Sequence, residues 1–127
     1  MKKEWLDKWL AALRSGEYKQ GTQILKSIEN KFCCLGVLCD LVAKEYPEDF
    51  RWEGPSEGSW FNEFSTEDDS GEKVLVSMYP PRRLYDVVGL LPIDEAKIAK
   101  MNDFGRNTFT EIADELETKA RLQSNAS

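Results

Sequence analysis

The sequence predicts a helix-rich α+β domain with four or five helices and a small antiparallel sheet of two or three strands. Apolar residues recur at helical spacing near both ends of the chain. Between them, residues 50–79 combine aromatic residues with glycine and alternate as β-strands do. The length of 127 residues and the hydrophobic content of 41% fit a single globular domain, 1–127, with one core.

The first predicted helix covers residues 3–15 and has one apolar stripe. The stripe consists of Trp5, Leu6, Trp9, Leu10 and Leu13. Gly16 follows, and glycine readily adopts the left-handed conformation that ends helices. Residues 22–28 mix polar and apolar side chains without a clear period, so they predict either a short strand or a helical turn.

Residues 33–46 are apolar almost all round until Asp40, and Pro47 prevents the helix from continuing. The pattern predicts a buried helix, with the string FCCLGVLCDLV at 32–42 as the centre of the domain. Gly36 inside this helix costs about 1 kcal/mol relative to alanine. It therefore predicts close backbone packing by a neighbouring element.

The sheet is predicted within residues 50–79, with the polar stretch 65–71 as an exposed loop. Residues 74–76 are consecutively apolar, which favours a strand covered on both faces. Further helices are expected at 82–88, after two prolines, and at 94–103, with Ile93, Ala96, Ile98 and Met101 turned inward. A capping box at Thr108 and Glu111 starts the last helix, and residues 123–127 are expected to form a disordered tail.

Composition limits the function classes. The 17 basic and 23 acidic residues give a net charge of −6, which opposes binding to duplex nucleic acid. Histidine, the commonest general base and metal ligand, is absent.

No apolar run approaches the ~20 residues that span a bilayer, so membrane association is not expected. Three cysteines within seven positions suit a reducing compartment, and the cytoplasm is the expected location.

Cys33, Cys34 and Cys39 are the most conspicuous candidates for chemistry. No histidine is present as a base, and buried cysteine behaves as a small hydrophobic residue, so the core interpretation is favoured. Adjacent cysteines also lack the spacing of a zinc site. The carboxylates after residue 110 fit a solvated helix face. No catalytic residue, metal ligand or cofactor is therefore predicted.

Seven residues are candidates for ligand binding: Tyr18, Gln20, Trp52, Trp60, Asn102, Asp103 and Arg106. The last three belong to a polar turn that places an amide, a carboxylate and a guanidinium close together. The alternative is that Asn102 caps the preceding helix and that the tryptophans seal a small core. The acidic tract between residues 63 and 72 either imitates spaced phosphates or is a solvated hairpin loop.

Four motifs carry a family resemblance. They are W-x-x-A-L-x-S-G-x-Y-x-Q-G at 9–21, F-C-C-L-G-V-L-C-D at 32–40, M-N-D-x-G at 101–105 and F-x-E-I-A-D at 109–114. In this order and spacing the chain resembles a family of small uncharacterised proteins of tailed phages and prophages. The resemblance implies a viral origin but brings no catalytic residues with it.

The leading hypothesis is a non-enzymatic, phage-encoded binding protein in the cytoplasm of an infected bacterium. It would antagonise antiviral defence by binding a host protein or by sequestering a small signalling nucleotide. One alternative is a small hydrolase that uses a cysteine or a carboxylate. The other is a structural or regulatory phage protein that self-associates as a homo-oligomer.

Overall fold

Over residues 1–90, 92–104 and 107–125, which the computed structural model describes, the chain forms five helices and two small sheets. This confirms the predicted helix-rich α+β class. The helices are α1 (Lys3–Arg14), α2 (Cys34–Glu45), α3 (Arg82–Val88), α4 (Pro92–Asp103) and α5 (Phe109–Asn125). The strands are β1 (Lys19–Gln20), β2 (Lys31–Phe32), β3 (Arg51–Glu53), β4 (Glu63–Glu67) and β5 (Lys73–Val76).

Helix α1 packs against α2 and α5 through the predicted stripe. Trp5, Trp9, Leu10 and Leu13 are buried in the core, and Leu6 packs against it half-buried. The indole Nε1 of Trp9 donates a hydrogen bond of 2.9 Å to the carbonyl of Cys34, so this buried tryptophan has its polar atom satisfied. Gly16 has φ +78° just after the helix, as predicted.

Helix α2 is the centre of the core. Residues 32–39 and Val42 are all buried, which confirms the sequence-based assignment. At Gly36, an added Cβ would lie only 1.8 Å from the carbonyl oxygen of Leu25. The predicted close packing of backbone against Gly36 is therefore confirmed, and the neighbouring element is the irregular segment that precedes β2.

The pairing of β1 with β2 was not predicted. These two-residue strands run parallel, with Lys19 opposite Lys31 and Gln20 opposite Phe32. Strands this short have no periodicity to detect. The segment 22–28 is neither a regular strand nor a helical turn, and it forms only isolated bridges, from Lys26 to Phe32 and from Ser27 to Phe61.

The antiparallel sheet has the order β3-β4-β5. Its inner face carries Trp52, Phe64 and Val76, which lie opposite one another in register. The prediction that residues 74–76 are covered on both faces is wrong. Leu75 is 46% exposed, because side chains alternate along β5 and Leu75 lies on the face of the sheet opposite to Val76 and the core.

The last three helices follow their local signals. Helix α3 has the predicted bounds and ends at Gly89, with φ +75°. Helix α4 buries Ile98 and half-buries Met101, but Ala96 is exposed, contrary to prediction. The capping box is confirmed by the bonds between Thr108 and Glu111, of 2.9 and 3.2 Å.

The side chain of Ile93 lies outside the described residues. Of the predicted tail, 123–125 belong to α5, and 126–127 also lie outside the description.

We expect Gly36→Ala to destabilise the fold by about 2–4 kcal/mol, because backbone must move to admit the methyl group. Urea unfolding followed by tryptophan fluorescence measures the loss. Gly54→Ala is the matched control, since its added Cβ meets nothing within 4 Å. Equal unfolding midpoints for the two variants would show that α2 does not pack as described.

Candidate functional site

Three predicted site residues, Gln20, Asn102 and Asp103, meet around the buried side chain of Asn102. Its Oδ1 accepts hydrogen bonds from Gln20 Nε2 at 3.0 Å and from the backbone N–H of Cys34 at 3.2 Å. Its Nδ2 donates to the Gly21 carbonyl and to Asp103 Oδ1, both at 2.9 Å. Two donors and two acceptor positions are all an amide has, so Asn102 has no capacity left for a ligand.

This hydrogen-bond network connects elements that are distant in sequence. Gln20 Nε2 also donates to the Asn107 carbonyl at 2.7 Å, and Gln20 Oε1 accepts from the N–H of Phe109 at 3.1 Å. Asp103 Oδ1 accepts from the N–H of Gln23 at 2.8 Å. The bond to Cys34 satisfies a first-turn amide of α2, so Asn102 caps a helix other than its own. The network is structural.

Tyr18 and Trp52 converge on a second centre, the carboxylate of Asp40 in α2. The Tyr18 hydroxyl donates to Oδ2 at 2.6 Å, and Trp52 Nε1 donates to Oδ1 at 3.0 Å. Lys44 Nζ lies 3.2 Å from Oδ2. Burial, and then the bond to Asp40, raise the pKa of the Tyr18 hydroxyl, so it stays protonated and donating at neutral pH.

The aromatic rings around Asp40 pack mainly on one another. Tyr18 meets Phe32 edge-on with centroids 5.1 Å apart, and Trp52 meets Phe64 at 4.8 Å. The ammonium of Lys26 lies over the ring of Trp52, 5.2 Å from its centroid. For Trp52 the core-sealing alternative therefore holds, and the cluster joins the sheet to α2.

Trp60 lies apart from both centres and is 58% exposed. Ile28, Met78 and Tyr79 are exposed as well, and we call these four residues the aromatic face. Backbone hydrogen bonds place segment 25–28 beside both of the others, because Ile28 N–H donates to the Trp60 carbonyl at 3.2 Å and Leu25 N–H donates to the Ser77 carbonyl, next to Met78, at 2.8 Å. Arg106, the seventh predicted site residue, lies outside the described residues.

The aromatic face lies in the acidic part of the chain. Residues 47–86 carry ten acidic and four basic side chains, so this segment alone accounts for the net charge of −6. The predicted exposed loop 65–71 is only partly correct: residues 68–72 form the exposed turn of the β4–β5 hairpin, but Ser65 and Thr66 are buried in β4. At the turn of the hairpin, Asp68 accepts from the Ser70 hydroxyl and from backbone amides, which lowers the pKa of its carboxyl and keeps it ionised.

The cysteines are poorly placed for nucleophilic chemistry. All three are free and buried. Burial raises the pKa of Cys33 to about 11 and raises that of Cys34 and Cys39 well above the ordinary thiol value. Within the ranges that the structure covers, no group of histidine, cysteine, aspartate or glutamate residues could hold a metal ion, and no helix is long and apolar enough to cross a membrane.

Sequence reasoning missed the concave surfaces formed by α1, α4 and α5. A groove of about 610 Å³ lies between these helices, and a second depression beside exposed Phe104 shares Lys97 and Lys119 with it. The sequence signal that could have indicated the second depression is the spacing of Lys97, Lys100 and Phe104, which places them on one helix face.

A family model described as a domain of unknown function, DUF8296, matches residues 1–120. The match covers more than nine-tenths of the chain, so the chain belongs to this family. No curated protein and no solved structure matches the chain.

We expect Asn102→Ala to destabilise the protein by about 2–4 kcal/mol, because it leaves the Cys34 N–H and the Gly21 carbonyl without partners. Thermal or urea unfolding measures the change. Asn107→Ala is the control, since Asn107 contributes its backbone carbonyl to the network. A fully stable Asn102→Ala protein would mean that this amide does not hold α2, β1 and α4 together.

We expect the native cysteines to resist iodoacetamide at pH 8. With a pKa of about 11, only on the order of one Cys33 thiol in a thousand is ionised at that pH. Intact-mass spectrometry should show no adduct under native conditions and three adducts in denaturant. Rapid labelling of one cysteine in the native protein would contradict this prediction and would favour the alternative of a hydrolase that uses a cysteine.

Proposed function

We propose that this DUF8296 member acts without catalysis, by binding a partner protein through the aromatic face. The observation that carries the proposal is the exposure of Ile28, Trp60, Met78 and Tyr79 on adjoining segments. Tryptophan, tyrosine and methionine are enriched at the centres of protein interfaces. Trp60 meets Phe61 edge-on at 5.6 Å, which supports its exposed ring from one side.

The charge of the segment that contains most of the aromatic face favours a partner with a basic rim. The segment 47–86 provides three of the four residues of the face and all of the net negative charge. Acidic side chains around an apolar centre steer a positively charged partner during encounter and add specificity. The same charge repels phosphate groups, so at this face a protein is a better candidate than a signalling nucleotide.

The chemistry of the cysteines supports binding over catalysis. The three thiols are buried with raised pKa values, and the chain has no histidine to act as their base. Some of the surface carboxylates are engaged in ion pairs, such as Arg14 with Asp114 at 2.7 Å and Lys73 with Glu53 at 2.7 Å. These contacts support stability and solvation of the surface.

The biological setting belongs to the same proposal. The resemblance of four motifs to tailed-phage proteins suggests that the partner is a protein of the bacterial host, met in its cytoplasm. Blocking a component of antiviral defence is a task that an interface alone performs, with no chemistry required. A homo-oligomer formed through the aromatic face is the competing use of the same surface.

We expect Trp60→Ala to abolish partner binding while leaving stability within about 0.5 kcal/mol, because the side chain is exposed in the free protein. Tagged wild type and variant are used for affinity capture from bacterial lysate at two salt concentrations. The captured protein is then purified and titrated directly. A partner with a basic surface, lost with Trp60→Ala and weakened by salt, is the expected result.

Phe104→Ala provides the matched control, since it removes another exposed aromatic side chain on a different surface. It should retain the partner at wild-type affinity. A partner that survives Trp60→Ala, or one lost equally with both variants, would refute the role of the aromatic face. Light scattering that shows concentration-dependent dimers, dissociated by Trp60→Ala, would assign the face to self-association.

A further inference from the structure

The α4–α5 surface has a chemistry opposite to that of the aromatic face. Phe104 at the end of α4 is 72% exposed, the most exposed large hydrophobic residue in the described part of the chain. It borders a depression of about 540 Å³. The lining residues are Lys97, Lys100, Met101, Phe104, Glu115 and Lys119, and we call this the lysine–phenylalanine patch.

Positive charge dominates this patch. Three of its six lining residues are lysines and one is acidic. Glu115 lies 4.0 Å from Lys119 Nζ on the same helix, whereas Lys97 and Lys100 have no carboxylate within 4.0 Å among the described residues. None of the lining residues belongs to the acidic segment 47–86. The patch is therefore a local basic site on an acidic protein.

The depression continues into the larger groove between α1, α4 and α5, with which it shares Lys97 and Lys119. The groove has an apolar floor that includes Leu10, Ile98 and Leu116, and its charged lining residues are of both signs: Lys3, Asp7, Asp94, Lys97, Glu117, Lys119 and Arg121. The groove has a volume typical of small-molecule sites, whereas the depression beside Phe104 is shallow and open to solvent. The excess of positive charge is therefore concentrated in the lysine–phenylalanine patch, and the groove adds apolar surface beside it.

We propose that the lysine–phenylalanine patch binds a small phosphorylated ligand with an aromatic ring, of the nucleoside phosphate class. The ring stacks on the exposed face of Phe104, and the phosphates lie among Lys97, Lys100 and Lys119. An aromatic ring beside cations is the combination by which proteins hold single-stranded nucleic acid without reading its sequence, and a nucleoside phosphate presents the same two groups, a base and phosphates. This site is separate from the aromatic face, so it stands whether or not that face binds a protein.

Isothermal titration calorimetry with ATP, AMP, adenosine and inorganic phosphate tests the proposal. We expect ATP to bind more tightly than AMP, and either of them more tightly than adenosine or phosphate alone, because both parts of the ligand are recognised. Affinity for ATP should fall as salt is added. Absence of binding by any nucleotide at millimolar concentration overturns the proposal.

Variants assign the binding to the patch. Phe104→Leu keeps the side chain apolar but removes the ring, and it should weaken ATP binding about 10-fold. Lys100→Gln should weaken it several-fold, and Lys19→Gln, an exposed lysine of β1, is the control for charge. Trp60→Ala should leave it unchanged. Binding that is insensitive to both patch variants places the ligand elsewhere and overturns the proposal.

Two further outcomes are decisive. A single-stranded oligonucleotide that binds more than 100-fold more tightly than ATP would show that the patch recognises a polymer, against the proposal. Release of phosphate from ATP at a rate that Phe104→Leu abolishes would make the site catalytic, also against it. Circular dichroism of each variant checks the fold, which substitutions at these exposed positions should leave intact.

Discussion

The rest of the structure depends on one buried amide, the side chain of Asn102. Burying an amide is costly unless every donor and acceptor is satisfied, and here all four positions have partners. Those partners belong to β1, the start of α2 and the end of α4, and Gln20 extends the network to the start of α5. The core is centred on α2, and apolar packing alone does not fix the position of this helix because it is not directional. The hydrogen bonds of this network fix how α2 lies against its neighbours.

Residues 32–39 show why that position matters. A helix that is apolar all round packs against several neighbours equally well in hydrophobic terms. Two contacts remove the ambiguity: the Asn102 bond to the amide of Cys34, and the approach of the Leu25 carbonyl to Gly36. The cysteines fill the remaining space as small apolar side chains, and their burial raises the pKa of each thiol and so disfavours the reactive thiolate.

Local signals were sufficient to predict part of this fold. The stripe of α1, the proline and glycine that bound α3, and the capping box of α5 all act within a few residues, and all were confirmed. The pairing of β1 with β2 was missed and the exposed face of β5 was predicted wrongly, because both depend on how separate elements pack together. Asn102 was predicted as a candidate ligand-binding residue, but its partners Gln20 and Cys34 lie 82 and 68 residues away, so its structural role could not be predicted from the sequence.

The candidate surfaces depend on exposure, which a sequence does not determine. Trp52 and Trp60 have the same chemistry and lie eight residues apart, yet one seals the core against α2 and the other faces solvent. The net charge of −6 is equally indirect evidence, because it belongs entirely to residues 47–86. An exposed charge acts on a ligand only over roughly 8 Å at physiological salt. A chain that is acidic overall can therefore present a basic site wherever a few lysines, such as Lys97 and Lys100, share one helix face without carboxylate partners.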